Sequence, residues 1–109
     1  GGEFVVLTED GVIVGAHATQ PVDPEMGIVT FRRLYLPARM RGTGAGRILM
    51  DWAIEWSRKH DFVRVEFWSD TRFTRAHKFF ARYGFQRGGI RDVQEGKLTF
   101  SEFHFALEL

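Results

Sequence analysis

"LPARMRGTGAGRILMDWAIEW", Leu36 to Trp56, sets three glycines, Gly42, Gly44 and Gly46, at alternate positions. Arg39, Arg41 and Arg47 surround them, and an apolar-rich run without glycine or proline follows at once. On a helical wheel that run places Ile48, Leu49, Trp52, Ala53 and Trp56 on one face and Arg47, Asp51, Glu55 and Arg58 on the other. The pattern predicts an amphipathic helix to about His60. Glu55 and Lys59 stand four apart in the order that supports a helix. Upstream, "IVTFRRLYL", Ile28 to Leu36, reads as a strand closed by Pro37. The stretch is therefore strand, glycine turn, helix. The first N–H groups of a helix lack partners within it and carry partial positive charge. Glycine allows sharp turns and leaves no Cβ between backbone and ligand. Together these make a cradle for phosphate.

Two nucleotide patterns fail on this stretch. A P-loop requires G-x-x-x-x-G-K-[ST], but Arg47 and Ile48 follow Gly46, so the lysine and the hydroxyl are missing. A dinucleotide turn requires G-x-G-x-x-G, and Arg47 stands where the third glycine belongs. A mere tight corner is the plainest alternative. The run of glycines, the flanking arginines and the downstream pattern described below weigh against it.

Working outward, "EFVVLTEDGVIVGAHAT", Glu3 to Thr19, is two β-branched runs joined by Asp10-Gly11, a hairpin signal. "QPVDPEMG", Gln20 to Gly27, holds two prolines and reads as a loop. "FVRVEFW", Phe62 to Trp68, reads as a buried strand. Ser69, Asp70 and Thr71 are candidate caps for a second helix with Phe73, Ala76, Phe80 and Tyr83 along one stripe. Gly84 is a natural left-handed stop, with Phe85 folding back as its apolar partner. Gln86 to Leu109 reads as two strands around a Gln94–Lys97 turn. Phe103, Phe105, Leu107 and Leu109 alternate there with Glu102, His104 and Glu108. The expected fold is α/β (α+β): a mixed, mostly antiparallel sheet with two main helices, in a single domain over 1–109.

Composition bounds the rest. The 109 residues suffice for one small domain. A net charge of +1 argues against a nucleic-acid or anionic-membrane binder. Cysteine is absent, so the chain has no disulfides and no thiolate chemistry, and the cytoplasm is the expected compartment. No apolar run reaches membrane-spanning length. The four histidines, 17, 60, 77 and 104, lack metal-ligand spacing, so no metal is expected.

Arg41-Gly42-Thr43-Gly44-Ala45-Gly46 matches R/Q-x-x-G-x-G/A, and "AHKFFARYGF", Ala76 to Phe85, looks like an A-x-x-x-Y-x-x-x-G-F helix end. With the preceding strand and the terminal hairpin, the chain resembles the GCN5-related N-acetyltransferases over most of its length. The resemblance implies acetyl-CoA, or another acyl-CoA, as co-substrate. It implies that Arg41, Gly42, Thr43, Gly44, Ala45, Gly46 and Arg47 hold the diphosphate, mostly by backbone. It places backbone groups of Leu34, Tyr35 and Leu36 on the thioester arm, one N–H polarising the acyl carbonyl. Phe73, Ala76, Phe79 and Phe80 would line the far wall. The activity implied is direct transfer of an acetyl group to an amine of a small molecule or protein.

The chain departs from the family pattern at several positions. The tyrosine that often protonates the departing thiolate is Phe80 here, and Tyr83 lies about 60° around the helix from it. A glutamate common before the glycine loop is Thr30, and an asparagine common early in the second helix is Phe73. A lysine-like amine, pKa about 10.4, must lose a proton before it attacks. His17, Glu66, Asp70 and His77 are the available bases, each with an ordinary structural reading beside it, and water or a weakly basic acceptor would need none of them. The usual leading strand and two helices are not in this sequence, so a short or truncated member is expected, with a homodimer covering an exposed sheet edge. The alternative to an enzyme is a non-catalytic acyl-CoA-binding or regulatory domain.

Overall fold

The computed structural model describes residues 1–109. Its elements are β1 (Glu3–Glu9), β2 (Val12–Asp23), β3 (Ile28–Tyr35), α1 (Ala45–Lys59), β4 (Arg64–Asp70), α2 (Thr74–Arg82), β5 (Gln86–Glu95) and β6 (Leu98–Glu108). The strands form one mixed sheet in the order β1-β2-β3-β4-β6-β5. β1/β2, β2/β3 and β5/β6 are antiparallel, and β3/β4 is parallel. The chain forms two compact units, Gly1–Val65 with Leu109 and Glu66–Glu108.

In the first unit the Asp10-Gly11 turn takes positive φ at both residues, 51° and 79°, as a tight hairpin requires. β2 runs further than the sequence suggests. Gln20 and Pro21 do not loop out but pair with Thr30 and Val29. The proline is tolerated because β1 pairs with β2 only as far as Thr19, so the missing N–H faces no strand on that side. The actual turn is Pro24–Gly27, closed by Gly27 N–H to the Pro24 carbonyl and Met26 N–H to the Asp23 carboxylate.

α1 packs on β2. Its buried residues are Ala45, Leu49, Met50, Ala53, Ile54 and Ser57, while Ile48 is exposed. The buried face is thus turned toward Met50 and Ile54 relative to the wheel. Gly15 makes the close approach possible, since a Cβ there would come 3.0 Å from Leu49 Cδ1. α1 ends in a Schellman turn with Asp61 at the left-handed position, φ 64°. Phe62 N–H reaches the Ser57 carbonyl and Asp61 N–H the Arg58 carbonyl. Phe62 therefore belongs to the helix end, stacked on Trp56, and β4 begins two residues later than the sequence suggests.

In the second unit α2 ends in the same motif, here with Gly84 at φ 94°. Phe85 N–H bonds the Phe80 carbonyl, and the two rings lie 6.0 Å apart. Phe67, Phe80, Phe85 and Phe105 form an aromatic core. The start of α2 differs from expectation. Phe73 stands at the N-cap without a side-chain bond. Asp70 instead accepts the Arg72 N–H and both arms of its guanidinium, at 2.9, 2.9 and 2.6 Å.

Candidate functional site

After β3 the chain passes through a single 3-10 turn, Ala38–Met40, and an extended Arg41 before the glycines. Gly42 and Gly44 take φ of 79° and 91°, a region costly for any residue with a Cβ. Thr43 pins the turn between them: its hydroxyl donates to the Met40 carbonyl and accepts the Ala45 N–H. Ile48 N–H is the first to bond back in α-helical fashion, to Gly44 O at 3.1 Å. The N–H groups of Gly42, Gly44 and Gly46 find no acceptor within the chain. A Cβ at Gly42 or Gly44 would meet nothing within 4 Å, so the face of the loop is open. No acidic residue stands in the first turn of α1 to satisfy the dipole, and Arg41 and Arg47 are exposed beside it. The donor set and its openness fit an anionic diphosphate. Ala45 alone of the loop is buried.

The strand leading into this loop is not regular. Ala16 faces Tyr35 and Ala18 faces Arg32, so one β2 residue, His17, opposes two on β3, Arg33 and Leu34. This is a β-bulge, and Arg33 occupies the left-handed region at φ 56°. Leu34 and Tyr35 are exposed and Leu36 is half-buried. β3 pairs with β4 only at Ile28–Arg64 and Val29–Val65, so Thr30 to Tyr35 have a strand partner on the β2 side alone. Leu34, Tyr35 and Leu36 thus share a unit with the glycine loop and offer it a bent strand edge. Sequence reading missed the bulge, because an arginine gives no sign that its backbone is left-handed.

The remaining candidates lie in the second unit. Phe73 is exposed, Ala76 and Phe79 are half-buried, and Phe80 is buried in the aromatic core. Of the candidate bases, His17 is 1% exposed, and burial lowers its pKa to about 4. Glu66 lies 3.2 Å from His104 Nε2. The hydrogen bonds from Arg72 hold Asp70 down to about 2. His77 Nε2 is 3.0 Å from the Ser69 hydroxyl, and burial and the Arg87 charge lower its pKa. Tyr83 packs edge-on to Phe79. No three His, Asp or Glu side chains converge on a point that could hold a metal ion.

A mixed six-stranded sheet, its parallel pair bridged by a helix that opens on bare glycine amides, is the fold of an acyl-CoA-dependent N-acyltransferase. The chain belongs to the acetyltransferase (GNAT) family, whose sequence model matches residues 1–85. Its structure is similar to Ard1 from Thermoplasma volcanium, with TM-score 0.86 and 20% identity, covering 97% of this chain and 70% of that one. It is similar to an IAA acetyltransferase from Bacillus cereus, with TM-score 0.83 and 16% identity, covering 99% and 78%. A GNAT family acetyltransferase from Elizabethkingia anophelis, solved with acetyl-CoA bound, matches with TM-score 0.82 and 16% identity, covering 99% and 76%. At such identities the likeness is one of fold. No curated protein matches the sequence. Family membership makes acetyl-CoA the donor and an amine the acceptor. No helix is long and apolar enough to cross a membrane.

Proposed function

We propose that residues 1–109 act as one domain that moves acetyl directly from acetyl-CoA to an amine, with the 41–47 loop gripping the diphosphate. The observation that carries this is the set of N–H groups of Gly42, Gly44 and Gly46, without internal partners, on a loop whose face is open at Gly42 and Gly44. Arg41 and Arg47 add positive charge beside them, and Thr43 and Ala45 hold the turn in shape. Bound acetyl-CoA supplies an activated thioester. Backbone groups of Leu34, Tyr35 and Leu36, on the bulged edge of β3, orient that arm, and one N–H polarises the acyl oxygen. On α2 the same reading assigns apolar contact with the arm to Phe73, Ala76, Phe79 and Phe80. Phe80 has no proton to give, so the departing sulfur is protonated by solvent. A thiol with an ordinary pKa of about 8.5 leaves readily enough for that.

The acceptor is an amine of a small molecule or a protein, and the cytoplasm is the proposed place of action. β1 is an edge strand with Phe4 and Val6 exposed, which supports a homodimer formed along that edge. Sedimentation equilibrium giving only monomer at micromolar concentration would count against the dimer.

Thermal unfolding with CoA, acetyl-CoA or ATP tests the cradle. At a hundredfold excess over Kd the ligand adds about 2.7 kcal/mol, a rise on the order of 10 °C for a domain this small. CoA should give this rise, and ATP, which carries phosphates but no pantetheine arm, should fall well short of it. Thiol release from acetyl-CoA in the presence of an amine panel then tests transfer. Binding without release from any amine would leave a non-catalytic acyl-CoA-binding domain.

A further inference from the structure

His17 is an imidazole buried to 1% exposure in the first unit, yet it is not placed to touch a ligand directly. Its Nδ1 lies 3.3 Å from the Leu49 carbonyl in α1. A carbonyl only accepts, so Nδ1 carries the hydrogen and Nε2 is the bare nitrogen. Phe31 and Trp52 close around the ring edge-on, at 5.3 and 6.4 Å. In register, His17 is the single β2 residue opposite the Arg33–Leu34 bulge. One side chain therefore bonds the helix about one turn past the glycine loop and stands on the strand that backs the bulge.

Stability does not account for this choice. Burying an imidazole costs free energy that an aliphatic residue of similar size would not. The bond it makes goes to a carbonyl in the early part of α1, which regular helix geometry already pairs with the N–H four residues on. What the bond does supply is a fixed, directional link between β2 and the start of α1, at the level of the bulge.

Building on the acyl-CoA reading above, we infer that His17 is a positioning residue whose Nδ1–H to Leu49 link sets α1 against the bulge of β3, and so aligns the diphosphate cradle with the strand edge that receives the thioester arm. A ligand gripped at one end only does not feel this spacing. A ligand gripped at both ends does, and displacements of about 1 Å can cost a hundredfold in reactivity.

The test uses three variants and two probes. An asparagine amide nitrogen occupies the place of Nδ1, so H17N keeps the donor. H17L fills the space without one, and H17Q carries its amide at the wrong position. Calorimetry measures ADP, which engages the cradle alone, and acetyl-CoA, which spans both elements. H17L and H17Q should bind ADP as wild type does and acetyl-CoA at least tenfold more weakly, with H17N like wild type for both. Should H17L fail to fold, H17Q gives the same comparison. Equal weakening of both probes would reduce His17 to general packing and overturn the inference, as would unchanged acetyl-CoA binding in H17L and H17Q. Wild type that binds no acetyl-CoA would instead sink the underlying functional reading, and the inference with it.

Discussion

Gly44 and His17 show how single residues here trade stability for geometry. Gly44 sits at φ 91°, where a β-branched side chain is strained, yet a Cβ would collide with nothing. Gly44→Val should therefore cost only about 1–2 kcal/mol in urea unfolding while abolishing the CoA-induced thermal shift. Retention of the shift would mean the anion binds elsewhere. His17 gives a pH signature. Burial lowers its pKa from 6.5 to about 4, so the unfolded chain takes up the proton first. Its contribution is intact above pH 6.5 and is lost as the pH falls toward 4, amounting to about 3 kcal/mol. Asp70, lowered from 3.8 to about 2 by Arg72, weakens the fold only in the window below that. Urea titrations at pH 7 and pH 4.5 should show a larger loss in wild type than in H17L, where His77, its pKa also lowered, still contributes.

At the level of elements, legibility follows glycine. Asp10-Gly11, the 42–46 loop and Gly84 announce themselves because a positive φ is normally reserved for glycine or a short polar residue. Arg33 and Asp61 take the same conformation silently, so the bulge and the Schellman turn that closes α1 could not be read from sequence, although the helix does end near His60 as the pattern predicts. The face of α1 was misjudged for another reason. Ile48 and Met50 are both apolar on paper, and only the sheet beneath decides which one is buried. Pro21 misled because its penalty depends on whether a neighbouring strand is present, which is tertiary information. Asp61 makes a clean test of the silent cases. Asp61→Gly relieves the left-handed position and should stabilise by about 0.5–1 kcal/mol, whereas Gly84→Ala should destabilise by about 1–2 kcal/mol. Equilibrium denaturation reads both, and matching signs would show that the two helix ends are not the same motif.

For the whole molecule the open chemical question is where the amine's proton goes. The imidazole of His17 is neutral but buried, and its bonded nitrogen is already a donor. Asp70 is held ionised by Arg72, which leaves it a poor base near neutrality. Phe80 occupies the position where a tyrosine could assist the leaving group. A site without a tuned acid or base relies on preorganised amides and on the fraction of acceptor that is already deprotonated. For a lysine-like acceptor, pKa about 10.4, kcat/KM should then climb about tenfold per pH unit from pH 6 to 9. An aromatic or otherwise weakly basic amine should give a flat profile over the same range. Thiol release followed across that range with both amines is the measurement. A plateau near neutrality shared by both acceptors would reveal an enzyme group taking the proton, with the Glu66–His104 pair the first to replace.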